Sequence, residues 1–461
     1  MKANKTDMLQ GPLLGGIIRY TIPIILSGIL QLLFNAADLM VVGQFCGAVS
    51  VAAVSSTGAL TNLVVNLFMG ISVGAGVCVA HGLGGRREEE VYRTVHTAIP
   101  VSLLSGVVLT VVGVNMCTPM LRLMKAPADV LPLSALYMKI YFCGITSTIV
   151  YNFSAAILRA AGDTRGPLVY LTVAGVVNVI LNLVFVIVFH MNVAGVALAT
   201  TISQAVSAIL VVRALMRRTD VCQLRWKEVR IYKPQLMKMV RIGLPAGVQG
   251  SLFSISNVII QSAVNSFGSA VIVAGNGAAS NIEGFVYTSM NALNQTAVNY
   301  IGQNLGALQF DRVKKIFRTC LLCVSGVGLI LGPAFYVLAP WLLRFYIPDS
   351  QEAIDFAIIR MTFICLPYFV CGLMDVTTGA LRGLGSSFVP MVVTVMGVCV
   401  MRIVWVYTIF QIPAFHTPQC LYISDLISWL LTFAVECYLF FRVLHKKQQL
   451  AASPEYGRSA G

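Results

Sequence analysis

A chain of 461 residues that is 57% hydrophobic and 11% charged is not a string of soluble domains, which carry about 25% charged residues; it reads as a polytopic membrane protein. Its net charge of +14 would point a soluble chain toward nucleic acid. Here most of the 32 Lys and Arg fall in links that alternate to one side of a membrane, so the positive-inside bias accounts for the charge and no nucleic-acid partner is expected.

Twelve spans are expected, at about 13–43, 51–81, 93–116, 135–158, 168–189, 195–216, 240–266, 272–302, 317–343, 357–381, 389–411 and 421–441. The first apolar run is too long for a cleavable signal and lacks a small-residue cleavage site. Short polar links after spans 1, 5 and 7 require antiparallel neighbours. Lys2, Lys5 and Arg19 precede span 1, and Arg86, Arg87 and Arg93 follow span 2. Arg159 and Arg165 follow span 4, and further basic clusters surround 213–241, 312–318 and 442–447. The opposite links hold only Arg122, Lys125 and Arg344, so both termini are expected in the cytoplasm and the chain in the cell membrane. The twelve Cys are mostly scattered through apolar segments. Cys320 and Cys323 open a hydrophobic helix, which favours buried thiols over a metal or redox site. The five His show no ligand spacing.

The chain repeats itself. At an offset of 222, Arg19, Pro23, Gly28 and Asn35 fall on Arg241, Pro245, Gly250 and Asn257, and Leu83-Gly84 falls on Leu305-Gly306. At 223, Leu158-Arg159-Ala160-Ala161-Gly162 falls on Leu381-Arg382-Gly383-Leu384-Gly385, and Pro167 on Pro390. Six spans per half is an even number, so the two halves insert with the same sidedness and form a parallel repeat. The expected fold is an all-α membrane protein with twelve transmembrane helices in two pseudo-symmetric six-helix lobes. The lobes are drawn at 1–216 and 236–447, joined by a cytoplasmic linker at 217–235 and followed by a disordered tail at 448–461.

Candidate chemistry starts in span 1. Asp38 lies deep in an apolar run, where a carboxylate facing lipid costs roughly 2.5–3.5 kcal/mol or more, so it should face protein, a wet cavity or an ion. Asn35 and Gln31 continue a polar stripe along one side of the helix. Pro23, fifteen residues earlier, removes a backbone hydrogen bond and leaves a place to bend. The repeat partner of Asp38 is Ile260, so the acid belongs to one half only, which suits a single ion site better than shared packing. Asn178 and Asn182 share a face of span 5, Thr200 and Thr201 open span 6, Asn62 and Asn66 share a face of span 2, and Asn152 lies in span 4. Carboxylate, amide and hydroxyl oxygens are the hard donors that Na⁺ takes, and the same carboxylate can carry a proton instead; each amide can also serve only as an interhelical hydrogen bond.

The second half has buried charges of its own: Glu283, Asp375, Arg402 and Glu436. Asp375 and Arg402 are candidates to neutralise one another. Glu283, followed by Tyr287, Asn291 and Asn294 on roughly one face, either attracts a cationic substrate or pairs with a neighbour. Asp425 lies near a membrane face and reads as interfacial. Gly70, Gly74 and Gly76 read as small-residue helix packing. There is no GxxxxGK[ST], so no ATP drive within this chain, and no GxSxG or HExxH; no enzymatic activity is expected.

These features resemble the MATE family of multidrug and toxic-compound extrusion transporters over about residues 10–445. The likeness rests on Pro23 with Asp38, Leu83-Gly84-Gly85 and Leu305-Gly306-Ala307, the two Leu-Arg motifs, and Gly195-Val196-Ala197-Leu198-Ala199-Thr200 opening span 6. It implies a cation-coupled antiporter that exports amphipathic, often cationic, compounds by alternating access. It implies Asp38 as the coupling carboxylate, with Asn178 and Thr200 as partners able to hold Na⁺ beside it and Asn182 and Asn35 nearby. The family often has an Asp where Asn182 stands, and the Asn here leaves H⁺ and Na⁺ both open. Many members also carry a carboxylate in span 7, which this chain lacks over Ser251–Phe267, so the resemblance does not carry over a cation site to the second lobe. Pro23 is the expected hinge. Gln31, Phe34 and Asn152 in the first lobe and Glu283, Tyr287 and Asp375 in the second are the expected substrate contacts. A monomer is expected, with the lipid bilayer and small molecules as its partners and no cofactor beyond the coupling ion. The alternatives are a related lipid-linked sugar or polysaccharide flippase, for which Arg402 is the one strong cationic cavity residue, and, further off, an intramembrane enzyme.

Overall fold

The computed structural model describes residues 6–123, 127–347 and 350–452, and they contain no strand. Lys2, Lys5, Lys125 and the tail beyond 452 lie outside these residues. The helices run in order as α1 (Leu13–Phe45), α2 (Ala48–Gly84), α3 (Glu88–Leu123), α4 (Leu131–Ala160), α5 (Arg165–Leu183), α6 (Asn192–Met216) and α7 (Lys233–Asn265). They continue as α8 (Ala270–Gly306), α9 (Phe310–Tyr346), α10 (Gln351–Phe363), α11 (Tyr368–Gly383), α12 (Phe388–Thr394), α13 (Met401–Tyr407) and α14 (Pro418–Ala452). Each of the twelve expected spans falls on one helical stretch. The protein is an all-α membrane protein.

Two stretches are interrupted. α10 and α11 form one span bent by 49°. The bend falls at Leu366-Pro367, where proline has no N–H to give and the residue before it is pushed out of helical geometry. α12 and α13 are joined by a π-helical segment, Val395–Val400, and α5 runs into another, Val184–Val188. Among the described residues, ten helices are long and apolar enough to cross a membrane, and the bent pair makes up to eleven. α8 falls short because Asn276, Asn281, Glu283, Asn291, Asn294 and Asn299 interrupt its apolar surface. α14 continues to Ala452, so residues 448–452, expected in the disordered tail, are helical.

The repeated signatures are helix stops. Arg86 and Leu308 occupy equivalent positions and both have positive φ, 53° and 58°, as do Gly162 and Gly385, 85° and 78°. Each closes a Schellman pattern. Arg87 N donates to Gly82 O at 2.9 Å and Gln309 N to Asn304 O at 2.9 Å. Asp163 N donates to Leu158 O at 2.9 Å and Ser386 N to Leu381 O at 3.0 Å. The left-handed residue turns the chain while the last carbonyls stay satisfied. The likeness between the halves is therefore a likeness of chain reversals.

The chain divides into two compact units. The first holds Ile22–Ser251; the second holds residues 8–21 and those from Leu252 onward. Relative to lobes drawn at 1–216 and 236–447, the first unit takes in the linker and residues 236–251 of the second lobe and gives up 8–21. Glycines explain the gain. A Cβ on Gly70 would lie 2.2 Å from Gly247 N, and one on Gly74 would lie 2.2 Å from Met239 O, so α2 and α7 meet backbone to backbone. Contacts within the second unit explain the loss. Tyr20 meets Tyr300 edge-on at 5.4 Å, Thr21 bonds Thr296 at 2.8 Å, and Asn304 Nδ2 donates to Met8 O at 2.9 Å. The link before α7 is also held down. Arg225 N donates to His96 Nε2 at 3.1 Å, and Tyr232 N to Thr97 Oγ1 at 3.1 Å, both on α3.

Candidate functional site

Asp38 sits on α1 and is 8% exposed, although Leu39 and Met40 beside it are exposed to the apolar surroundings. Three side chains from two other helices close around it. Asn182 Nδ2 on α5 donates to Asp38 Oδ1. The same amide donates to Asn178 Oδ1 at 3.2 Å, one turn earlier on α5. Asn178 Nδ2 donates to Thr200 Oγ1 on α6 at 3.3 Å, and Thr200 Oγ1 donates to Asp38 Oδ2 at 3.3 Å. The result is a closed ring of four side chains. Asn178 and Asn182 face it together because residues four apart share a helix face. The π-helical segment begins two residues after Asn182, where the helix must widen its turn.

The ring offers hard oxygen donors: both carboxylate oxygens of Asp38, Oδ1 of Asn178 and Asn182, and Oγ1 of Thr200. Asn182 Oδ1 is buried and has no hydrogen-bond partner. An unpaired buried acceptor costs about 1–3 kcal/mol, and a cation among these oxygens would satisfy it. Carboxylate, amide and hydroxyl oxygens are the hard donors that a cation such as Na⁺ takes, and the carboxylate can carry a proton instead. At the repeat offset, Asp38, Asn178, Asn182 and Thr200 fall on Ile260, Met401, Trp405 and Ile423. Ile260 lies in an apolar core with Val264, Val398 and Trp429. The second unit fills with hydrocarbon the place where the first holds the ring.

The other first-half candidates stand apart. Asn35 and Gln31 are exposed and outside the ring's hydrogen bonds. Phe34 packs against α5: a Cβ on Gly175 would lie 1.8 Å from the Phe34 ring. That close approach brings α1 onto α5 one turn before Asn178, and only glycine allows it. Asn152 Nδ2 bonds back to Thr148 O at 2.7 Å along its own helix. Tyr137 on α4 lies near enough to Asp38 to sense its charge, and sequence reasoning missed both it and Gly175. α1 passes through Pro23 without interruption, and Ser27 Oγ donates to Pro23 O at 2.8 Å.

In the second unit Glu283 pairs with a neighbour, one of its two expected roles, while the expected pairing of Asp375 with Arg402 does not form. Glu283 takes Arg360 of α10 as its partner, with Nη2 to Oε2 at 2.8 Å and Nε 3.2 Å from both oxygens. Arg360 Nη1 also donates to Asn276 Oδ1 at 2.6 Å, which accepts a second bond from the Tyr422 hydroxyl at 2.8 Å. Arg402 does not neutralise Asp375. It pairs with Asp425 at 2.8 Å, and Asp425, expected at the interface, is 3% exposed. The reason is register: Asp425 on α14 reaches across to α13, whereas Asp375 on α11 has Arg382, two turns on along its own helix, as its charged neighbour and Tyr287 close by. Asp375 Oδ2 has no hydrogen-bond partner, and Tyr287 is 40% exposed.

The MatE family model matches residues 23–184 and again 245–408. The probable multidrug resistance protein YoeA of Bacillus subtilis is 28% identical over 387 residues, 82% of this chain and 83% of that protein. The probable multidrug resistance protein YpnP of the same organism is 28% identical over 405 residues, 86% and 88%. Among solved structures, an outward-facing MATE-family multidrug resistance transporter of the MOP superfamily superposes with a TM-score of 0.89 at 19% identity, covering 97% of this chain and all of that one. The fold is that family's twelve-helix, two-lobe fold. The doubled match across both halves, with relatives over four fifths of the chain and a shared fold, places this multi-pass membrane protein in the MATE family of multidrug efflux transporters.

Proposed function

We propose that the protein is a cation-coupled antiporter that exports amphipathic, often cationic, compounds by alternating access, and that Asp38, Asn178, Asn182 and Thr200 form its coupling site. One observation carries the reading: a lone buried carboxylate closed into a ring of oxygen donors in one half, where the other half has apolar core. A coupling ion shifts a transporter between states only by binding one of them better. The ring supplies such a difference, because Asp38 binds H⁺ or Na⁺ fully only while α1, α5 and α6 are gathered as seen here. Losing the ion leaves a charge in an apolar setting, and opening the ring relieves it. In this reading the protein is a monomer in the cell membrane with both termini in the cytoplasm, and it does no chemistry on what it moves.

The test is transport by the purified protein in sealed vesicles, with a lipophilic fluorescent cation as substrate. An imposed H⁺ or Na⁺ gradient should drive uphill movement, and the gradient that does so identifies the ion. Asp38→Asn keeps the shape of the side chain and removes its charge; it should insert, fold and lose uphill transport. Export by Asp38→Asn at near the unaltered rate would end this reading.

A further inference from the structure

Glu436 on α14 has no part in the site described above. It is fully buried, and no ion pair among the described residues includes it. Two hydroxyls hold its carboxyl group. Thr378 Oγ1 on α11 lies 3.0 Å from Oε1 and 2.8 Å from Oε2. Thr394 Oγ1, at the end of α12, lies 2.7 Å from Oε1. Thr394 Oγ1 also lies 2.7 Å from Pro390 O, one turn back on its own helix. A hydroxyl has one proton and a carbonyl oxygen has none. If Thr394 gives its proton to Pro390 O, its contact with Glu436 needs a proton from the acid. With Thr378 donating to Oε2, every group is then satisfied. As an anion, Glu436 would have to take the Thr394 proton and leave the Pro390 contact without one.

We propose that Glu436 is a second proton-binding site, in the second unit, and that the arrangement seen here is its protonated form, with Oε1–H donated to Thr394. The groups that face it are Arg382 and Asp375 from α11, besides the two threonines. Release is a simple balance, the carboxylic acid giving a carboxylate and one H⁺. The Thr394 hydroxyl then turns from Pro390 O to Oε1. That carbonyl lies one turn before the π-helical segment Val395–Val400. α14 is tight against this segment: a Cβ on Gly397 would lie 2.2 Å from Thr432 Oγ1, one turn from Glu436. The charge on Glu436 therefore reports directly to the segment that joins α12 to α13. The site's existence does not depend on the coupling role of Asp38.

Infrared difference spectra of the purified protein in lipid, between neutral and high pH, test this directly through the carbonyl stretch of protonated carboxyl groups. The unaltered protein should show that band at neutral pH and lose it at high pH. Glu436→Gln should lack the component, and Asp38→Asn should retain it. Thr394→Val, which keeps the acid and removes its acceptor, should shift the component to higher frequency; it decides the matter if Glu436→Gln does not fold. A band unchanged in Glu436→Gln, one unshifted in Thr394→Val, or one lost instead in Asp38→Asn overturns the proposal.

Discussion

The ion pair between Glu283 and Arg360 makes a prediction that a substrate-binding Glu283 would not. Both side chains are largely buried, 4% and 14% exposed, and three N–H to carboxylate contacts join them. Removing one charge leaves the other buried without a counter-ion, which costs roughly 3–5 kcal/mol. At about 1.4 kcal/mol per factor of ten, that is more than a hundredfold in the folded-to-unfolded ratio. Glu283→Leu and Arg360→Met should each lower stability by that order. The double variant has no stranded charge and keeps the volume filled, so it should be more stable than either single variant. Unfolding of the purified variants in one fixed detergent, completed as a four-member cycle, gives the coupling between the two residues. Export measured on the same variants, after correction for folded protein, should fall alike for cationic and neutral substrates. If the two losses simply add, or if Glu283→Leu remains as stable as the parent while losing cationic substrates alone, the pairing argument fails.

Three further outcomes follow from the structure. Gly175→Ala should push Phe34 off α5 and weaken cation-dependent export by tenfold or more, and adding Phe34→Leu should recover most of it; no loss in the single variant would show that α1 and α5 need not meet there. Pro23→Ala restores a backbone N–H in α1 and should slow export while protein level and substrate binding persist, measured in vesicles against a binding titration. With the native cysteines removed, a cysteine placed at Gln223 should escape an impermeant thiol reagent added outside intact cells; labelling from outside would reverse the proposed orientation.

The helices were largely legible because each has a local cause: a long apolar run, and for many a stop built from Gly or from a tolerated left-handed residue. The bend at Leu366-Pro367 was equally local, and a span drawn straight through it ignored proline's missing N–H. The ring was half legible. Asn178 and Asn182 are four apart, so one helix face explains them, and Asp38 stands out by its charge. Asn35 misled because three residues turn a helix by about 300°, which leaves it about 60° around from Asp38 and on the exposed side. Arg360 was passed over, and Arg402 assigned to the wrong acid, because such pairings depend on how helices are rotated and shifted against their neighbours. Glu283 and Arg360 are 77 residues apart, and no periodicity within either helix encodes that meeting.

The exchange at α1 and α7 bears on what counts as half of this protein. Residues 8–21 belong to one compact unit and Ile22 onward to the other, and α7 divides in the opposite sense at Ser251. Two identical six-helix chains that swapped the starts of their first helices would make the same trade, as domain-swapped dimers do. Joining such chains end to end would leave a molecule like this one, with the swap made permanent by a covalent link. A cut in the link between α6 and α7 would then yield two fragments that each lack a helical segment carried by the other. They should be recovered together or not at all, because neither fragment is a unit that folds alone.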